Sequence, residues 1–145
     1  MRPPGMTALA PRVLVAVSHS GYGLAQKLLA GCDVDIVTSF EQGKQALASH
    51  AYGYVVVGVL FAESHMFEFV QEVKHTQPTA RILAVRGLGA PLTEEARSGL
   101  HAALQTVGAE GLVDLTRREL SAWEREALTE MRSRCWPECR RAMAF

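Results

Sequence analysis

Five short apolar runs, rich in β-branched residues, alternate with amphipathic segments along this chain, and this alternation constrains the fold most. The runs are Arg12–Val17, Val34–Val37, Tyr54–Leu60, Arg81–Val85 and Gly111–Leu115. Continuous apolar runs of this length are typical of strands buried on both faces. Strands separated by helices pair in parallel through right-handed crossovers. The pattern therefore predicts an α/β fold: a three-layer, doubly wound, five-stranded parallel sheet in the flavodoxin-like order 2-1-3-4-5.

The helices between the runs are predicted from apolar spacing and capping residues. Ser39 and Thr93 are suited to cap the second and fourth helices. A buried stripe at helical spacing is expected at Met66, Phe69, Val70 and Val73. The last helix is predicted over Arg117–Arg134, ahead of Pro137.

Length and composition indicate one domain. The 145 residues divide into a proline-rich flexible leader at 1–11, a folded domain at 12–134 and a tail at 135–145. Fifteen basic residues balance fifteen acidic ones, which argues against binding to nucleic acid or a membrane. The apolar runs are too short to span a bilayer, and three cysteines do not form a disulfide framework, so we expect a cytoplasmic protein.

The order and spacing of the segments over roughly residues 12–134 resemble the receiver domain of bacterial response regulators, and three stretches carry the resemblance. The stretches are VDIVTSFEQGKQAL (34–47), YVVVGVLFAESHMFEFVQEVK (54–74) and LHAALQTVGAEGLVDL (100–115). The last is the most specific, because its Ala-Leu, its Gly-Ala-acid turn and its final strand follow the receiver pattern. The resemblance implies a regulatory domain of two-component signalling.

The resemblance also implies a phosphorylation pocket whose groups are missing here. Receivers place two acids after the first strand, a phosphoacceptor aspartate at the end of the third, a hydroxyl at the end of the fourth and a lysine at the end of the fifth. Aligned by the apolar runs, these positions fall on Val17–Ser18 or Ser18–His19, Gly58, Arg86 and Leu115. Asp114 is adjacent to the last position but lacks a second acid beside it.

A pocket without these groups has no route to the usual chemistry. Mg²⁺ requires oxygen ligands, and phosphoryl transfer requires a nucleophile in line. We therefore expect a stand-alone pseudo-receiver, not an enzyme, without metal or cofactor, that acts through a protein partner or as a homodimer. It would not be phosphorylated by the aspartate and Mg²⁺ route.

The stretch SHSGYG (18–23) leaves two alternatives open. Ser18, Ser20, Gly21 and Gly23 are suited to a loop that holds an anion at a helix N-terminus. The run VSHSGYGLAQKLL (17–29) also resembles the start of the mannose-family phosphotransferase IIA domain. That second resemblance implies a phosphocarrier with His19 as the phosphorylated nucleophile.

The remaining candidates concern charge, exposure and thiols. Arg86 is expected either to receive an anionic ligand or to pair with Glu63 or Asp114. Phe61 and Phe67 fall outside the buried stripe of their helix, so we expect an exposed contact surface, unless the loop folds back over the pocket. No metal site is expected at the last two cysteines, Cys135 and Cys139, because no further ligand accompanies them.

Overall fold

The computed structural model describes residues 12–28, 34–62, 65–117 and 119–135. Four sequence predictions fall outside these residues: the leader at 1–11, the tail beyond 135, Glu63 and the thiol of Cys139. The backbone of Cys135 belongs to the last helix, but its side chain is likewise outside the description.

Strands and helices alternate along the described part of the chain, as the apolar runs predict. The elements are β1 (Arg12–Ala16), α1 (His19–Leu28), β2 (Val34–Val37), α2 (Phe40–Ser49), β3 (Tyr52–Gly58), α3 (Met66–Thr76), β4 (Arg81–Arg86), α4 (Glu94–Thr106), β5 (Leu112–Asp114) and α5 (Ala122–Cys135).

The five strands form one parallel sheet in the order β2-β1-β3-β4-β5. Val57 of β3 lies beside Ala16 of β1 and Ala84 of β4, so these three strands run in register at the centre. The predicted fold class and strand order are confirmed. Since all strands are parallel, their carboxyl ends meet at one edge of the sheet.

Two apolar cores cover the two faces of the sheet. The packed side, beneath α2, α3 and α4, includes the predicted stripe of α3, and each of its four residues is buried. Phe69 lies at its centre and meets Phe40 and Phe61 edge-on, with ring centroids 5.5 Å and 4.9 Å apart. The ring of Phe69 lies so close to α2 that a Cβ on Gly43 would come within 2.5 Å of it.

The other face, the cavity side, lies beneath α1 and α5. Val15, Val56 and Leu83 of the strands pack there against Ala25 of α1 and Met131 of α5. Fewer large side chains are buried on this face than on the packed side, and no aromatic ring pair lies within it among the described residues. The two faces therefore differ in how tightly they are filled.

The predicted helix caps at Ser39 and Thr93 are confirmed. The Ser39 hydroxyl accepts from the amide of Gln42 at 3.1 Å, and the Thr93 hydroxyl accepts from that of Ala96 at 3.1 Å. Each bond satisfies a backbone donor that the first turn of a helix leaves free.

Two predicted helix starts are wrong. α5 begins at Ala122 rather than Arg117, because Ser121 and Glu124 cap it reciprocally: the Ser121 hydroxyl accepts from the Glu124 amide at 3.1 Å, and the Glu124 carboxylate accepts from the Ser121 amide at 2.7 Å. α1 begins at His19, so most of the predicted 18–23 loop is helical. The Gly21 amide donates to the Ser18 carbonyl at 2.9 Å and closes that first turn.

Candidate functional site

A cavity of about 120 Å³ opens at the carboxyl edge of the sheet, on the cavity side. The ends of β1, β3 and β4 form its floor, and α1 and α5 form its walls. The predicted pocket residues that line it are Val17, Ser18, Gly58, Arg86 and Leu115. The structure therefore brings together residues far apart in sequence, as the alignment of strand ends predicts.

The lining of the cavity is almost entirely apolar. Its aliphatic members are Val15, Val17, Ala25, Val56, Val59, Leu60, Val85, Leu88, Leu115, Leu128 and Met131. Ser18 and Arg86 are the two polar side chains among the described residues that line it. No carboxylate of the described residues lines the cavity, so none of them offers a carboxylate ligand to Mg²⁺ or an acyl nucleophile there.

Gly58 ends β3, where the receiver resemblance places the phosphoacceptor. A Cβ placed on it would lie 3.5 Å from Val17 Cγ1 and 3.6 Å from the Ala16 carbonyl oxygen, which are ordinary contacts. Packing therefore does not require glycine here. The position simply carries no group that a phosphoryl donor could modify.

Arg86 reaches over the rim of the cavity and is held on several sides. Its Nη1 donates to the Thr116 hydroxyl at 2.9 Å and lies 3.7 Å from the Asp114 carboxylate, and its Nη2 donates to the Ala90 carbonyl at 2.5 Å. Gly89, with φ of 107°, lets the loop pass close to the guanidinium, because a Cβ there would lie 2.8 Å from Nη2. The predicted pairing of Arg86 with Asp114 is confirmed.

Asp114 is fully buried and fully engaged. Its carboxylate accepts from Arg97 Nε at 3.2 Å and from the Thr116 amide at 3.0 Å, and it also accepts from the Thr116 hydroxyl. Burial raises the pKa of Asp114, but the bonds from Thr116 and Arg97 outweigh it, so the pKa lies below the usual value for an aspartate. The carboxylate thus stays charged and does not face the cavity.

Glu124, a second buried carboxylate, joins α5 to the sheet. It accepts from the backbone amides of Asp114 and Ser121, each at 2.7 Å, and it pairs with Arg117. Burial raises its pKa, but these bonds outweigh it and hold the pKa below that of a free glutamate. The sequence interpretation missed this residue, although Ser121 and Glu124 match the spacing of a capping box.

Most of the stretch predicted to hold an anion, residues 18–23, forms the beginning of α1. The amide of Gly21 donates inward to Ser18, and the Ser18 and Ser20 hydroxyls lie 3.0 Å apart. Ser20 and Gly23 are exposed on α1. His19 is also exposed, at the start of α1, and does not line the cavity.

The expected exposure of Phe61 is wrong. The chain turns back after β3, where the Phe61 amide donates to the Gly58 carbonyl at 3.0 Å and Ala62 adopts a left-handed φ of 51°. This turn places Phe61 against Phe69 with none of its surface exposed. Phe67 is half-buried against the same core.

Two leucines at the mouth of the cavity are exposed instead. Leu60, in the turn after β3, is 49% exposed, and Leu88, in the loop after β4, is 40% exposed. Both line the cavity. The sequence interpretation placed Leu60 inside a strand and did not single out Leu88.

Asp35 lies in β2 and belongs to a different cluster. It accepts from Arg12 Nε at 2.6 Å and from the Tyr52 hydroxyl at 2.7 Å, and both partners begin their strands. The Arg12 bond lowers the pKa of Asp35. These groups mark the amino edge of the sheet, so Asp35 cannot contribute a ligand at the carboxyl edge.

The described residues contain neither a cluster of metal ligands nor a candidate membrane span. In 12–28, 34–62, 65–117 and 119–135, no group of three or more His, Cys, Asp and Glu side chains is placed to hold a metal ion. None of the helices in those ranges is long and apolar enough to cross a membrane.

Solved structures with the same arrangement decide the fold. A CheY-like response regulator receiver domain protein from Methanospirillum hungatei superposes with a TM-score of 0.60 at 13% identity, over 86% of this chain and 92% of that one. The chain has the receiver fold. An orphan response regulator of H. pylori gives a TM-score of 0.57 at 20% identity, over 84% and 97% of the two chains.

A further receiver superposes as well. The beryllofluoride-activated NtrC4 receiver domain, solved as a dimer, gives a TM-score of 0.61 at 16% identity, over 86% of this chain and 95% of that one. No protein family model and no curated protein matches the sequence. The cavity thus lies in a receiver fold, at the strand ends where the resemblance places the phosphorylation pocket.

Proposed function

We propose that this chain is a pseudo-receiver: a regulatory module that works through contacts with a protein partner and is not phosphorylated by the aspartate and Mg²⁺ route. The observation that carries the proposal is the lining of the cavity. Gly58, Val17 and Leu115 stand at the strand ends where a receiver needs a nucleophile, an acid and a lysine. No carboxylate of the described residues lines the cavity to accept a phosphoryl group.

The fixed ion pairs beside the cavity support the same proposal. Asp114 is the nearest alternative acceptor, but it is fully buried and bound by Arg97, Thr116 and Arg86. Attack on a phosphoryl donor would require the carboxylate to leave these cations and become exposed. The contacts with Arg86 and Arg97 also join β4 and α4 to β5 without a bound phosphoryl group.

The proposed module is a cytoplasmic protein that binds neither nucleic acid nor membrane, and it associates as a homodimer or with another signalling protein. The zero formal net charge of the chain supports the first part, since no overall field attracts a polyanion. The NtrC4 receiver, solved as a dimer, supports the second. Phe67 and the exposed Leu60 and Leu88 are the first surface positions to test for partner contact.

The test is incubation of the purified protein with acetyl phosphate and Mg²⁺, followed by intact mass spectrometry and light scattering. We expect no added phosphoryl mass and the same oligomeric state with and without the donor. An unrelated receiver that retains its aspartate serves as positive control. A stoichiometric gain of one phosphoryl group that disappears in Asp114→Asn would overturn the proposal.

The same experiment separates the alternative that His19 carries a phosphoryl group. Phosphohistidine is lost in mild acid, whereas an acyl phosphate is lost in base. Acid-labile phosphate that vanishes in His19→Ala would replace the pseudo-receiver by a phosphocarrier. His75, which is exposed on α3, gives a matched control variant, His75→Ala.

A further inference from the structure

The cavity at the carboxyl edge has the chemistry of an apolar binding site. Its two polar side chains already have partners: Ser18 Oγ lies 3.0 Å from Ser20 Oγ, and Arg86 is bound to Thr116 and Ala90. The guanidinium is thus held at the rim by these bonds, and the remaining described lining residues present almost only apolar side chains. Burying a charge without a partner is strongly unfavourable.

The size of the cavity sets the size of the ligand. Its volume is about 120 Å³, and an apolar protein cavity of roughly 150 Å³ stays dry and binds benzene. A space of this size therefore favours a single ring or a short alkyl chain over water, since water would find few hydrogen-bonding partners on these walls.

The mouth of the cavity is apolar as well. Leu60 and Leu88 are among the most exposed large apolar side chains of the described residues, and both line the cavity. They come from separate loops, after β3 and after β4, and converge on one opening. A ligand seated there would remove the surface of both leucines from water, which is favourable in proportion to the area covered.

We propose that this cavity binds a small, uncharged, apolar molecule of about six or seven carbons, such as a single aromatic ring. The ligand would contact Val15, Val56 and Leu115 inside and Leu60 and Leu88 at the mouth. This inference goes beyond the proposed function, and it concerns a ligand whose binding does not depend on a protein partner.

The test is a titration of methyl-labelled protein followed by NMR, with toluene as the probe and benzoate as its charged counterpart. We expect saturable shifts with toluene, centred on the methyl groups of Val15, Val56, Leu60, Val85, Leu88 and Leu115. Benzoate should bind at least tenfold more weakly, because its carboxylate would lose water against walls that are almost entirely apolar.

Two sets of variants locate the binding. The double variant Leu60→Ser and Leu88→Ser should weaken toluene binding at least tenfold, and because both leucines are exposed it should fold normally. Tyr22→Ser is the matched control, since Tyr22 is 39% exposed and does not line the cavity. Ala25→Leu adds volume to the cavity wall and should also weaken binding.

Three outcomes would overturn the inference. The first is the absence of any saturable shift with toluene. The second is a toluene affinity that is the same in the wild type, the double leucine variant and Ala25→Leu. The third is tighter binding of benzoate that is lost in Arg86→Gln, which would make the cavity an anion site. A change in phosphorylation behaviour is not among these outcomes, so failure here and failure of the proposed function are distinguishable.

Discussion

The two faces of the sheet differ in how completely side chains fill the space beneath the helices. On the packed side, Phe69 fills the space under α2 so fully that Gly43 has no room for a Cβ. On the cavity side, a pocket of about 120 Å³ remains between α1, α5 and the strand ends. The same sheet therefore has one closely packed face and one that leaves a space open at its carboxyl edge.

This difference shows where the molecule can change. Close-packed aromatic cores resist any change of volume, because neighbouring side chains have nowhere to move. Side chains that line a cavity have room to move, although they lose van der Waals contacts. We expect mutations on the packed side to change the free energy of unfolding. Mutations on the cavity side should instead change the affinity for a ligand.

The largest effect is expected for Phe69→Ala. Removing the ring leaves a hole between Phe40 and Phe61 that the packed side cannot close, so the free energy of unfolding should fall by about 3–5 kcal/mol. Urea unfolding followed by circular dichroism measures it. The comparison variant Leu88→Ala, at the mouth of the cavity, should change stability by less than about 0.5 kcal/mol. Equal losses in the free energy of unfolding for the two variants would contradict the difference between the faces.

The next effect concerns the carboxyl edge, where charge rather than packing holds the structure. Asp114→Asn leaves Arg86 and Arg97 without their shared carboxylate, and the loss of one partner of a buried pair should cost about 3 kcal/mol. Asp35→Asn, at the exposed Arg12 pair, should cost less than about 1 kcal/mol. Urea midpoints of the two variants give the test, and similar midpoints would contradict it.

A matched pair of glycines sharpens the comparison. Gly43→Ala places a Cβ 2.5 Å from Phe69 Cε1 and should destabilise the fold by about 1–3 kcal/mol. Gly58→Ala meets only ordinary contacts and restricts the unfolded chain, so it should be neutral or stabilise by up to about 1 kcal/mol. Thermal unfolding of both variants distinguishes them, and the reverse order would show that the packed side yields more easily than its geometry implies.

The smallest effect is expected from acid. Asp114 and Glu124 have lowered pKa values in the folded state, so the unfolded chain binds more protons at low pH and stability falls as pH falls. The loss should begin as the pH falls to their ordinary pKa values of about 4 and should grow as the pH falls further. Unfolding curves between pH 7 and pH 3 measure it, and Glu124→Gln should show a smaller loss.

Much of the fold follows from local sequence. β2 has the predicted bounds, Val34–Val37, because three of its four residues are β-branched and apolar. The stripe of α3 is buried because helical spacing alone determines which residues share a face. The strand ends likewise predict that Val17, Gly58 and Leu115 lie near one another, and all three line the cavity.

What sequence did not predict depends on contacts between distant elements. Phe61 turns inward because of the left-handed turn at Ala62, which no periodicity indicates. The start of α5 is set by Glu124, whose carboxylate binds the amide of Asp114 on β5. Arg97 reaches Asp114 from α4. Each case requires knowledge of which elements lie side by side, which comes only with the folded sheet.

The carboxylate of Glu124 fixes the beginning of α5. Its first turn is fastened to the end of β5 through the Asp114 amide, whereas Leu128 and Met131, farther along the same helix, border the cavity. Farther along, Glu130 pairs with Arg81 of β4 at 2.8 Å, so the helix is held at two places. A ligand that widened the cavity would therefore press on α5 near Leu128, while the first turn would stay bound to β5.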